Sequence, residues 1–292
     1  MPSGNSDWEI CAQTPGQFGE SILWHPMEKA LYWIDYCGPS VHRQKQAKGP
    51  IESWQLDRGR TIGSLVFAGS GRLLLAVDHG LYLFDTGTGA MRFFADPKKG
   101  RLDLAYNDGK VDRAGRYWVG TYNLAETDPT GAFYRVATDG LAEVADQGFV
   151  YCNGPAFAPD NRTLYFSDTV GRRILSYDLD LSGAISNRRS FFAFSAEDGL
   201  PDGLTVDSAG NIWCALYGGG KVVCLDTEGT LKLSLPLPAT YVTSLCFGGP
   251  ELKTLYATTA WGPEATRSKD RGDAVFMRPV ETPGLPEPVI AL

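Results

Sequence analysis

The chain repeats itself. Six segments share one pattern: a polar or small residue, an apolar run, a turn, and a second β-rich run. They are ESILWHPMEKALYWID from Glu20, GSLVFAGSGRLLLAVD from Gly63, NDGKVDRAGRYWVGT from Asn107, NGPAFAPDNRTLYFSD from Asn153, DGLTVDSAGNIWCAL from Asp202 and TSLCFGGPELKTLYAT from Thr243. Successive starts lie 41 to 49 residues apart. That period, filled with short strands, matches one four-stranded blade of a β-propeller, whose sheets must stack on neighbours to bury their faces. The pattern predicts an all-β, six-bladed β-propeller, read as one domain over residues 1–292.

Within a repeat the first two strands are plain, as in GPAFA and TLYFSD. A third follows, such as RRILSYDLD, and a fourth closes the blade, such as SFFAF. Pro-Asp-Asn, Ser-Ala-Gly-Asn and Leu-Ser-Gly supply the turns between them. The last repeat stops at DAVFMRPV and runs into a Pro-rich tail. The alternating stretch from Trp8 to Cys11 is therefore expected to complete that blade and close the ring. Two longer loops, residues 122 to 131 and 260 to 273, join second to third strands and share the face where first strands begin. Binding tends to sit on such loops.

A net charge of −7 with no basic cluster argues against a nucleic-acid partner. No apolar run approaches the roughly 20 residues that span a bilayer, so no membrane role is expected. Nothing points to an obligate protein partner. The first residues, MPSGNSDWEICAQ, lack the basic and apolar regions of a signal peptide, and the six cysteines form no CxxC pair. Both features point to free thiols in the cytoplasm.

First strands of a propeller line its central channel, so residues at one repeat register meet at one depth. That register reads Glu20, Gly63, Asn107, Asn153, Asp202 and Thr243. Two carboxylates and two carboxamides therefore converge on an axis. Carboxylates so close resist full ionisation, and a cation removes the conflict. Oxygen donors suit one divalent ion: Ca²⁺, Mg²⁺, Mn²⁺, Fe²⁺ or Zn²⁺. Other chemistry is poorly supported. The run from Asp178 starts like an EF-hand loop, but its twelfth position is Arg189. There is no GxSxG elbow, and His25, His42 and His79 are too scattered for a triad.

FGESILW, NDGKVDRAGR, NGPAFAPDNRTLYFSDT, PDGLTVDSAGNIW and TSLCFGGPELKTLY together resemble the gluconolactonase, regucalcin (senescence marker protein) and luciferin-regenerating-enzyme-like family. The resemblance covers all six repeats. It implies one divalent metal in the pore and hydrolysis of sugar lactones. The family's metal ligands fall on Glu20, Asn153 and Asp202, and its further pore Asn on Asn107. Two departures stand out. Ala105 occupies a position where relatives often carry Arg, leaving Arg101 to reach in from the same loop. GTYNL, with Tyr122 and Asn123, replaces a GTM sequence followed by an acid.

The expected reaction is hydrolysis of an aldonolactone, a small-molecule partner, in carbohydrate catabolism. Asp202 is the candidate to take a proton from the attacking water. Asn107, Arg101 and Tyr122 are candidate substrate contacts, with Tyr217 and Trp261 beside them. Two rival readings are a non-catalytic metal-binding regulatory or interaction propeller, and a hydrolase of other esters or organophosphates.

Overall fold

The computed structural model describes residues 7–13, 16–57, 61–262, 271–272 and 274–292. Their strands form six four-stranded antiparallel sheets, the six-bladed arrangement that the repeats predict. In the first five blades the strands follow chain order from the channel outward. The innermost strands are Gly19–His25, Ile62–Phe67, Leu104–Val111, Cys152–Phe157 and Leu200–Val206. The sixth blade starts with Tyr241–Gly248 and ends with Glu9–Gln13, which pairs with Ala274–Pro279. The first described strand is thus the outer edge of the last blade.

Burial decreases from axis to rim. Ile62–Phe67 and Tyr117–Asn123 are buried at every position, whereas the outermost Leu231–Pro236 is almost wholly exposed. The core lies between blades rather than along the axis. Leu65, Tyr106 and Val119 pack together from blades two and three; Val222, Leu245 and Ala257 do so from blades five and six. Two sheet faces meeting in this way bury their alternate residues.

Neighbouring innermost strands belong to different sheets, so small side chains bridge them. The Ser167 hydroxyl donates to Asp202 O at 2.7 Å, and the Thr243 hydroxyl to Gly19 O at 2.6 Å. The Leu65 N–H donates to Ser21 Oγ at 3.0 Å. At Gly63 the approach is closest: a Cβ there would sit 2.3 Å from Tyr106 O. This explains why the register carries glycine in blade two.

Each innermost strand also slips register against its neighbour near the channel-facing position. The slips fall between Glu20 and Leu23, Ile62 and Ser64, Tyr106 and Gly109, Asn153 and Ala156, Pro201 and Leu204, and Val242 and Leu245. A bulge of this kind breaks strict alternation and re-aims side chains.

Two blades share one turn device. Asp207 accepts from the Ala209 and Asn211 N–H groups at 3.0 and 2.9 Å, from Asn211 Nδ2 at 2.8 Å and from Trp213 Nε1 at 3.0 Å. Asp112 does the same for Ala114, Arg116 and Trp118. One carboxylate thereby closes the first hairpin and anchors a core indole. Asp207 is fully buried, so Asp207→Ala leaves several donors without a partner. The expected loss of stability is about 3 kcal/mol, measured by urea unfolding. A loss below about 1 kcal/mol would contradict this role.

Candidate functional site

The starts of the innermost strands and the loops between second and third strands surround a cavity of about 380 Å³. That size suits a small-molecule site. Glu20, Asn107, Asn153 and Asp202 lie among its lining residues, and so do Tyr122 and Tyr217. Four residues at one sequence register are therefore brought together. Arg101 and Trp261 are not among them. The Arg101 guanidinium is drawn instead to the Asp103 carboxylate two residues on, at the exposed surface. This corrects the expectation that Arg101 reaches the pocket: its carboxylate partner is local and both side chains are about half exposed. Most of the second long loop, residues 263–270 and 273, lies outside the described residues.

The carboxamides are oriented by their neighbours. Asn153 Nδ2 donates to Thr169 Oγ1 at 3.0 Å, and that hydroxyl donates to Pro201 O at 2.8 Å. The chain of donors leaves Asn153 Oδ1 facing Asn107, whose Nδ2 donates to it at 2.6 Å. Asn107 Nδ2 also reaches Cys152 O at 3.0 Å. Asn107 itself lines the cavity.

A third carboxylate stands behind the other two. Asp108 is 4% exposed and close enough to Glu20 and Asp202 to perturb both. Alternation along a strand sends it away from the side that Asn107 faces. The slip between Tyr106 and Gly109 leaves both residues outside the regular pairing, so alternation does not govern them. The acid next to Asn107 in NDG was the only sequence signal for it.

These groups resist ionisation together. Burial pushes the Asp202 carboxyl well above the usual carboxylate range, and the Asp108 charge adds to this. Burial raises Glu20 as well, followed by Asp202 and Asp108, against a weaker pull from the Ser21 N–H. Asp108 is pushed up to about 7 by burial, opposed by the Lys110 charge and the amides of Gly109 and Gly154. Asp108 Oδ2 and Asp202 Oδ1 are buried without a hydrogen-bond partner. Unpaired buried carboxylate oxygens are costly, and a divalent cation would satisfy them. Among the described residues no three Asp, Glu, His or Cys side chains converge as a ligand set. A carboxamide such as Asn153 would have to supply a third donor beside Glu20 and Asp202. An all-oxygen set of this kind fits a hard divalent ion.

Aromatic rings collar the mouth. Tyr122 stacks on Tyr151 with ring centroids 4.4 Å apart and an interplanar angle of 7°. The Tyr36 hydroxyl meets that of Tyr122, and Phe18 lies between Tyr36 and Tyr217. Tyr122 pairs across the sheet with Ala105, so the tyrosine edge stands where the resemblance led one to look for Arg. Glu126, a few residues on, places an acid at the cavity. Its N–H donates to Asn123 O at 2.8 Å, which folds the loop back, and Tyr151 Oη donates to Glu126 Oε1 at 2.8 Å. Phe18, Tyr36, Tyr151 and Glu126 were not foreseen, because they come from inter-strand connections outside the repeat pattern.

Residues 18–261 match the model of the SMP-30/Gluconolactonase/LRE-like region. The chain belongs to this family. It is 36% identical to pentonolactonase XacC of Haloferax volcanii, with 94% of each chain covered. It is 31% identical to 6-deoxy-6-sulfogluconolactonase of Pseudomonas putida, covering 98% of this chain and 99% of that one. Among solved structures, a calcium-binding regucalcin from Agrobacterium tumefaciens superposes with a TM-score of 0.91 at 27% identity, over 97% of both chains.

The raised carboxyls make a pH prediction for protein kept in chelator. Folded Glu20, Asp108 and Asp202 hold protons that the unfolded chain releases. Their contribution is full below the ordinary carboxyl range and lost as pH rises, so the urea midpoint should fall between about pH 4 and about pH 7. Asp108→Asn should flatten the fall. A midpoint that rises across this window would refute the assignment.

Proposed function

We propose that this protein hydrolyses a sugar lactone to the aldonic acid with one divalent ion at the channel mouth. The observation that carries the reading is the pair of buried, unpartnered carboxylate oxygens, one on Asp202, which lines the aromatic-rimmed cavity, and one on Asp108. The names of the pentonolactonase and the sulfogluconolactonase relatives support it. Glu20, Asn153 and Asp202 would hold the ion, with the Asp108 charge behind them. When bound, such an ion supplies Lewis-acid polarisation of the lactone carbonyl.

The chain's own groups do the rest. Asp202 accepts a proton from water as the water oxygen bonds to the carbonyl carbon. The ring C–O bond then breaks, and the ring oxygen takes that proton from Asp202 to become the hydroxyl of the acid. Asn107 Oδ1 accepts a hydrogen bond from the water or a sugar hydroxyl. Tyr122, Tyr151 and Tyr217 offer ring faces to sugar C–H groups, and Glu126 accepts from sugar hydroxyls at the rim. The six free cysteines, five of them buried, fit a reducing compartment such as the cytoplasm. The products would feed carbohydrate catabolism.

The deciding experiment follows acid release from pentono- and hexonolactones after loading with Ca²⁺, Mg²⁺, Mn²⁺, Fe²⁺ or Zn²⁺, with chelator controls. Asp202→Ala should lower kcat/KM by about 10³. Full turnover by that variant would overturn its role, and no hydrolysis by ion-loaded wild type would leave a binding function instead. Thr169→Val tests the Asn153 orientation. It should weaken divalent-ion affinity by about 10- to 100-fold, read by calorimetry. Unchanged affinity would mean that the threonine does not set the ligand.

A further inference from the structure

The channel has a second end, and the Pro-rich tail lies across it. Ser208 N–H donates to Pro283 O at 2.9 Å, and Gly284 N–H to Leu252 O at 2.9 Å. Further on, Ile290 N–H donates to Phe67 O at 2.9 Å and Ala291 N–H to Gly115 O at 3.1 Å. The tail therefore ties blades five and six to blades two and three, passing over the ends of the innermost strands. Ile290 is 3% exposed and belongs to the core between those blades. Gly284 lies so flat on blade six that a Cβ there would sit 2.1 Å from Phe247 Cβ.

Between these anchors Glu287 enters the channel and meets Lys110, with Glu287 Oε1 3.6 Å from Nζ. The two side chains are 13% and 8% exposed. Lys110 Nζ also donates to Leu204 O of blade five at 2.8 Å. Lys110 stands two residues beyond Asp108 on the same strand, and its charge acts on that carboxyl. The remaining void beside Leu285, Pro286, Glu287 and Pro288 is about 20 Å³, room for about one water.

We propose that residues 285–292 are a plug that closes the channel behind the acid cluster. Glu287 pins Lys110 as a positioning residue in that floor. The channel then opens to solvent only at the aromatic mouth, so an ion held by Glu20, Asn153 and Asp202 enters and leaves by the route the substrate uses. The plug rests on contacts of the tail alone; its effect on ion exchange rests on the metal reading above.

The test compares wild type with a chain ending at Gly284, and with full-length Ile290→Asp in case the shortened chain does not fold. Acetylation of Lys110 by a water-soluble amine reagent is followed by peptide mass spectrometry, with exposed Lys29 and Lys99 as internal standards. Either variant should raise Lys110 labelling relative to those standards about tenfold or more, since the tail no longer covers it. In parallel, Ca²⁺ or Mn²⁺ is extracted from loaded protein with excess chelator, and release should speed up by a similar factor. Glu287→Gln keeps the tail's anchors, so Lys110 should stay protected in it; labelling as fast as in the plug-free variants would show that cover by the tail is not what shields the amine. Lys110 labelled equally in wild type and in a folded, plug-free variant would overturn the plug. Faster labelling with unchanged ion release would retain the plug and overturn the single-entrance consequence. A wild type that binds no ion would sink the metal reading and leave the lysine result to decide the plug.

Discussion

Six innermost strands run round one axis without pairing to one another, and the rest of the structure follows from that constraint. A strand inside a sheet has both edges satisfied. These strands have one edge in their own blade and face a neighbouring blade on the other. Ser21, Ser167, Thr169 and Thr243 fill that gap with side-chain to backbone bonds. Where the blades press closest, Gly63 leaves room for Tyr106 O. The same inward convergence that tightens the ring forces whatever polar groups remain at the register into one small volume.

Electrostatics then decides what that volume can be. Burial raises three carboxyls, Glu20, Asp108 and Asp202, and the Asp108 charge raises the other two further. A structural site would pair such groups or replace them with apolar ones. Here one carboxylate oxygen on Asp108 and one on Asp202 have no partner, while the adjacent amides are locked in orientation by Thr169 and Cys152 O. That combination costs stability, which functional sites commonly do. The compensating elements are at the opposite end: Lys110, fastened by Leu204 O and Glu287, brings a positive charge that acts on Asp108.

Much of this was legible in the chain. The six repeats, their strand order and the shared register of Glu20, Asn107, Asn153 and Asp202 all follow from periodicity, because a period of residues is also a period in space round a ring. Tyr122 and Tyr217 were legible as aromatics at strand ends. Arg101 was misread, since sequence proximity to a pocket says nothing about a nearer carboxylate such as Asp103. Asp108 was missed because alternation is the only rule available without coordinates, and the bulge at that position suspends it. Glu126 and Phe18 were missed because loops fold back by hydrogen bonds that leave no periodic trace.

The sequence by itself determined the number of blades, the sites of their turns and the register that gathers Glu20, Asn107, Asn153 and Asp202 at one cavity. These are properties of local pattern, repeated six times. Only the tertiary structure decided that a third acid joins the other two, that the acid of the mouth is Glu126, and that the last residues return under the ring. Each of these depends on distances between segments far apart in the chain. Such distances are set by blade packing and strand bulges, which no short stretch of residues encodes.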